Sequence, residues 1–179
     1  MNLHLDNVNL KSLSGPNSFA QKLVKYALKN GHTFNNSEKA DAILCFIETG
    51  RQQKEAPMFQ RLDSVYFNTN SDYNLQNRNI KRTYDMSDGV IFQSDFGKKL
   101  VTNFFGEHPN SVVIRNGADV DKIEQIEPIE NKTLDKYENV WSCAATWRPH
   151  KRLNENIKYF LEHKGTNDCL VIAGDTPDK

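Results

Sequence analysis

The chain has 179 residues, and its 23 basic and 23 acidic side chains cancel to a formal charge of zero. That balance removes the broad attraction to nucleic acid or to an anionic membrane that a strongly basic chain has, so any anion site must be local. An apolar share of 37% beside 26% charged residues argues against disorder along the whole chain and predicts a modest core under a well-solvated surface. Met1-Asn2-Leu3-His4-Leu5-Asp6 lacks the basic start and apolar stretch of a secretory signal, and no run approaches the ~18 apolar residues of a membrane span. A soluble, cytoplasmic protein with no transmembrane segment is therefore expected. Cys45, Cys143 and Cys169 each fall in an apolar run without zinc-like or Cys-x-x-Cys spacing, which predicts buried free thiols.

Taken in chain order, Asn2 to Leu5 reads as a short strand, followed by a polar loop through Ser14-Gly15-Pro16-Asn17 and a helix from Ser18 to Asn30. Ser18 and Gln21 have capping-box spacing, Phe19, Leu23, Tyr26 and Ala27 share a face, and Asn30-Gly31 supplies a left-handed stop. Ala42 to Ile47 is an apolar run of strand length, and Ser64 to Asn68 a weaker one. Asp72 to Met86 is polar with Ile80 and Tyr84 one turn apart, which predicts a surface helix. Gly89 to Gln93 reads as a buried strand, Ser94 as an N-cap, and Phe96, Leu100 and Phe104 as the stripe of a helix that Gly106 ends. Ser111 to Ile114 is a further strand, and a helix begins at Asp119.

Residues 124–138 are rich in Glu, Lys, Asn and Pro and read as a linker between an N-terminal lobe, 1–123, and a second piece, 139–179. In that piece Asn139 to Ala145 and Cys169 to Ala173 read as strands. Between them lies a helix, Leu153 to His163, with Leu153, Ile157, Phe160 and Leu161 facing inward. Alternating strands and helices predict an α/β protein with parallel sheets.

The richest chemistry lies in Trp147-Arg148-Pro149-His150-Lys151-Arg152, where cations crowd the turn between a strand end and a helix start. Loops at the carboxyl ends of parallel strands line the ligand crevice, and the next helix directs its N–H groups and positive dipole there. Cations at that dipole are unfavourable by roughly 0.3 to 1 kcal/mol each, and a bound anion reverses the sign. Arg148 is suited to fork onto phosphate and Lys151 to act as a point charge; an ordinary solvated basic turn remains the alternative. Gly15-Pro16-Asn17 before the first helix and Asn116-Gly117 after a strand are further crevice-lining candidates, with plain turns as their alternative. The five histidines have no metal-ligand spacing, so no metal is expected, and aromatic residues at core positions argue against a nucleic-acid platform.

In order along the chain, several short motifs carry a resemblance. They are Ser14-Gly15-Pro16-Asn17-Ser18-Phe19 with Gly31-His32, Gln60-Arg61-Leu62-Asp63, and Asp88-Gly89-Val90-Ile91-Phe92-Gln93-Ser94. Val113-Ile114-Arg115-Asn116-Gly117-Ala118-Asp119, Trp147-Arg148-Pro149-His150-Lys151-Arg152-Leu153 and Val171-Ile172-Ala173-Gly174 complete the set. The set resembles retaining glycosyltransferases of family 4, the glycosyl transferases group 1, over nearly the whole chain.

That resemblance implies the two-lobed GT-B fold: a Rossmann-type N-terminal lobe on the acceptor side, and the first βαβ unit of an incomplete C-terminal lobe that binds a nucleoside-diphosphate sugar. It implies no cofactor beyond that sugar donor as substrate, an unknown acceptor, and Arg148 and Lys151 on the donor diphosphate. Gly15 matches the family's glycine-rich first loop, with Ser14-Gly15 where paired glycines are usual, and Gly174 joins the crevice-lining candidates. The family's Glu-x7-Glu motif falls beyond Lys179, so the catalytic residues are unassigned and the chain is expected to transfer sugar poorly alone. A βαβ piece of about forty residues is small for a self-sufficient core, so it is expected to dock, to pair with another chain or to stay loosely packed. The competing expectation is a non-catalytic nucleotide-sugar-binding or partner subunit.

Overall fold

The computed structural model describes residues 1–12, 14–127 and 131–175. Part of the expected linker, 128–130, and the end of the expected second lobe, 176–179, lie outside the described residues. The chain divides into two compact units, Met1–Ala118 and Asp119–Lys179.

The first unit is built on six strands: β1 (Asn2–Asp6), β2 (Thr33–Phe34), β3 (Ala42–Phe46), β4 (Met58–Leu62), β5 (Gly89–Phe92) and β6 (Ser111–Val113). All neighbours pair in parallel, in the order β2-β1-β3-β4-β5-β6. Helices α1 (Gly15–Lys29), α2 (Tyr73–Met86) and α3 (Asp95–Phe105) connect them. The chain is thus α/β with a Rossmann-like first unit. Side chains alternate across each strand, so Phe46 meets Phe19 of α1 while Ile43 and Cys45 join Met58 on the opposite face. The largest core cluster packs Ile80 and Tyr84 of α2 and Val101 of α3 against Leu62, Val90 and Phe92.

Several local expectations are corrected. Helix α1 starts three residues before Ser18, because Pro16 falls in its first turn, where a fixed φ and a missing N–H suit the helix. Gln21 is therefore free of the capping box and donates to the carbonyls of Leu10 and Ser12, at 2.8 and 3.1 Å. Tyr26 of the expected apolar face is exposed, and Ala20 and Ala27 are the buried positions. Residues 64–68 form no strand. The strand is β4, whose apolar run is broken by Gln60 and Arg61, both buried. The Gln60 amide nitrogen donates to the carbonyl oxygens of Ile47 and Ile80, while its oxygen is buried without a partner among the described residues. In α3 the expected stripe holds only at Leu100, which packs against the core cluster; Phe96 is 73% exposed, Phe104 is exposed, and the buried positions are Gly97 and Val101. A Cβ on Gly97 would stand 2.6 Å from the Asp63 carbonyl oxygen, so the glycine sets how closely α3 approaches the end of β4.

No helix fills the connection from β3 to β4; polar side chains hold it instead. Arg51 donates to Asp6 at 3.3 Å, and to Ser37 and Glu55 at 2.9 Å each. Arg82 of α2 donates to the carbonyls of Thr49 and Arg51, while Thr49 is itself bonded to Asp6. Asp6 and Cys45 are register partners, and burial, reinforced by Asp6, pushes the Cys45 thiol up to about 12. Cys45 is buried as expected; Cys143 and Cys169 are only half-buried.

The second unit holds α4 (Val120–Glu124), capped by the Asp119 side chain, and parallel strands β7 (Asn139–Ala144) and β8 (Asp168–Ala173) joined through α5 (Leu153–His163). Phe160 of α5 meets Trp141 edge-on, with ring centroids 5.9 Å apart. Leu161, expected inside, is exposed. Among the described residues no helix is long and apolar enough to cross a membrane.

Candidate functional site

In a doubly wound sheet of order 2-1-3-4-5, ligands enter at the carboxyl ends of the strands where the winding direction reverses, here between β1 and β3. Two non-glycine residues with left-handed backbone stand at that point, Asn7 with φ 58° and Ile47 with φ 69°. Asparagine tolerates this conformation; a β-branched residue does so only when its surroundings impose it. The imposition is visible. Ile47 N–H donates to the Arg61 carbonyl at 3.0 Å, its own carbonyl accepts from Gln60 at 2.6 Å, and Asn7 donates to the Phe46 carbonyl at 2.8 Å.

Beside this point Arg61, near the end of β4, is 5% exposed. Its guanidinium carbon lies 3.7 Å from the centroid of the Phe19 ring and 5.6 Å from that of Phe46. Such stacking suits a weakly hydrated guanidinium better than an ammonium. One Arg61 nitrogen donates to the Asn116 side-chain oxygen at 2.7 Å, and the Asn116 amide donates onward to Gln93 at 2.8 Å. Burial pulls the Arg61 guanidinium below its ordinary value, with Asp63 pushing back. Asp95, at the start of α3, is occupied by an ion pair with Arg115.

The structure brings Asn116, one of the crevice-lining candidates, into this cluster through its bonds to Arg61 and Gln93. Gly15, Pro16 and Asn17 open the helix whose Phe19 supports Arg61. Asn17 closes its own loop, accepting from the Asn9 N–H at 2.9 Å and donating to the Ser14 hydroxyl at 2.8 Å. The Ser14 side chain makes no capping bond to the helix. A Cβ on Gly15 or on Gly117 would meet nothing within 4 Å, so neither glycine is required by crowding, and both border open space.

In the second unit the basic turn and Gly174 share one edge, the carboxyl ends of β7 and β8. The Trp147 indole donates to the Ala173 carbonyl at 3.1 Å and its backbone N–H to the Asp175 carbonyl at 2.8 Å. Trp147 thereby fastens the turn to the strand ends. Gly174 has φ 112°, and a Cβ there would fall 1.9 Å from the Ala145 carbonyl oxygen, so only glycine permits this approach. Instead of running straight into the helix, the turn forms a 3₁₀ segment, Pro149–Lys151, and then a left-handed Arg152 with φ 56° and ψ 48° that serves as the N-cap of α5. Arg152 pairs loosely with Glu155 at 3.5 Å, which offsets its unfavourable place at the positive end of the helix. Arg148 and Lys151 are exposed, and among the described residues neither makes an ion pair. The N-cap of α5 supplies no side-chain hydrogen bond, which leaves its first N–H groups open to an external acceptor.

The opposite edge of this unit has a different character. A depression there is lined by Glu138, Asn139, Trp141, His163, Gly165 and Asp168, among others. Asp168 accepts from the Gly165 N–H at 2.9 Å, the Asn139 amide at 2.8 Å and the Trp141 indole at 3.0 Å. These bonds, led by Gly165, hold its carboxyl below the usual range. Neither the depression nor Arg61 was singled out as a site from sequence. An arginine inside a short strand gives no periodic signal, and Asp168 lies at the margin of the expected strand. Among the described residues no group of three or more His, Cys, Asp or Glu side chains converges to hold a metal ion. The sequence matches no protein-family model and no curated protein.

Proposed function

We propose that the chain is a nucleotide-sugar-binding glycosyltransferase of the retaining group 1 type, or a lobe-bearing portion of one, in a cytoplasmic setting. The carrying observation is the edge of the second unit, where Arg148 and Lys151 stand without carboxylate partners among the described residues, beside an uncapped helix start and a glycine-tight strand end. In this reading the donor diphosphate lies against that edge. As the bond from the anomeric carbon to the diphosphate oxygen breaks, negative charge grows on the leaving group, and fixed cations and N–H dipoles stabilise it. The two-lobed GT-B arrangement, with an acceptor held by the first unit, is part of the same proposal.

Titration calorimetry with UDP and GDP tests it. Arg148→Ala is expected to weaken whichever nucleotide binds by about ten- to a hundredfold, as a charge-assisted contact is worth roughly 1.5 to 3 kcal/mol. Equal affinity in the variant removes the assignment.

A second reading is a non-catalytic nucleotide-sugar-binding or partner subunit whose second lobe another chain completes. It is favoured by the thin packing of the second unit, where Trp147 and Phe160 are the buried hydrophobic side chains among the described residues. Light scattering after size exclusion separates the two readings, since the second requires a stable complex with another chain or an obligate dimer.

A further inference from the structure

A cation taken out of water is costly unless an anion and hydrogen bonds replace what it lost. Arg61 has the burial without the anion. It is 5% exposed and carries five N–H donors, of which one, among the described residues, makes a hydrogen bond to another side chain, and that acceptor is the neutral Asn116 amide. Among the described residues no carboxylate comes within 4.0 Å of its nitrogens; Asp63 is exposed, and Asp95 is taken by Arg115. Phe19 stacks on the guanidinium and fixes its plane, which leaves in-plane donors as its means of pairing. The amide oxygen of Asn116 occupies one position that an oxyanion would take. Asn116 itself stands on an exposed segment and is tied on its far side to Gln93, so it is placed to share an arriving oxygen rather than to neutralise the charge. The location is independent evidence of use: this is the carboxyl edge of the sheet, beside the strained Ile47 at the point where winding reverses.

We propose that Arg61, with Asn116 and Gln93 beside it, binds the anionic group, a carboxylate or a phosphate monoester, of a small molecule held by the first unit. Combined with the function proposed above, on which this last step rests, that molecule is the sugar acceptor, and the acceptor is acidic.

The test uses the full chain carrying Arg148→Ala and Lys151→Ala, so that anions no longer report on the basic turn. Inorganic phosphate, glucuronate and uncharged glucose are titrated separately while backbone and Arg Nε–H signals are followed by NMR. Saturable shifts at Phe19, Arg61, Gln93 and Asn116 are expected with phosphate or with glucuronate and not with glucose; whichever anion acts identifies the class. Adding Arg61→Met is expected to abolish the shifts while leaving the anion-free melting temperature equal or higher, because the variant removes an uncompensated buried charge. Three outcomes overturn the proposal: no saturable shift with either anion, equal affinity in the Arg61→Met protein, or a melting temperature several degrees lower in that variant, which makes Arg61 a structural cation. Absence of UDP and GDP binding by the unmodified chain would overturn the proposed function alone, since the anion test is made on a protein without those two cations.

Discussion

The two units use the same grammar, parallel strands joined by helices, yet they bury their side chains very differently. In Met1–Ala118 helices lie on both faces of the sheet, and Phe46, Met58, Leu62, Val90, Phe92 and Val101 are almost wholly inaccessible. In Asp119–Lys179 a two-stranded sheet has α5 against Trp141, while Val140 and Ile172 stay 46% and 42% exposed. Hydrophobic burial scales with the number of layers that close on a sheet, so the first unit carries its own core and the second relies on a few anchors such as Phe160 and Trp147. Candidate chemistry follows the same division. The cation of the first unit is buried and held rigidly; those of the second are exposed on a turn whose backbone alone is fixed.

Equivalent truncations in the two units test this contrast most strongly. Phe92→Ala is expected to cost about 3 to 5 kcal/mol in urea unfolding, the range for a deeply buried phenylalanine. Phe160→Ala is expected to cost less, about 1 to 2 kcal/mol, because solvent reaches a thinly covered sheet and little cavity survives. Equal costs would show that the second unit is packed as tightly as the first. A sharper probe is Gly174→Ala, which places a Cβ where the Ala145 carbonyl stands. It is expected to raise hydrogen exchange in β7, β8 and the basic turn by tenfold or more, leaving β3 to β5 unchanged. Unchanged exchange at Ala145 and Trp147 would contradict the close approach.

The smallest effect concerns acid. Lys54 donates to Asp88 and Asp88 accepts from the Met58 N–H at 2.8 Å, the ammonium contact being the main cause that holds its carboxyl below the ordinary 3.8. A lowered folded value means that the stability is present above 3.8 and is lost as pH falls through the lower folded value. The group is substantially exposed, so the loss is about 0.5 kcal/mol. Asp88→Asn is expected to flatten the unfolding free energy below pH 4 by that amount, and an unaltered pH profile would remove Asp88 as its cause.

Much of this architecture was legible in the residues. Ser94 caps α3 through the Gly97 N–H at 3.0 Å, Gly106 ends it, and Asp119 caps α4, because these signals act within one turn of the chain. What escaped depends on distant partners. β4 is hidden by Gln60 and Arg61, whose buried side chains meet carbonyls just after β3 and in α2 and a phenyl ring of α1. The inward face of α3 turns on Gly97, a residue with no side chain to count in a hydrophobic pattern. In the first unit Asn116 was legible as a crevice-lining candidate at a strand end, whereas Arg61, its partner inside β4, was not. The basic turn of the second unit was legible because its cations are adjacent in sequence, though the left-handed Arg152 that reorients α5 was not.

The central claim is that the turn at the carboxyl edge of the second unit receives a nucleoside diphosphate. Hydrogen exchange of the full chain with and without saturating UDP or GDP reads this residue by residue. The account predicts slowed exchange confined to residues 145–153 and Gly174 with one of the two nucleotides, and its disappearance in the Arg148→Ala, Lys151→Ala protein. Protection absent from that turn with both nucleotides, or persisting unchanged in the double variant, would contradict it.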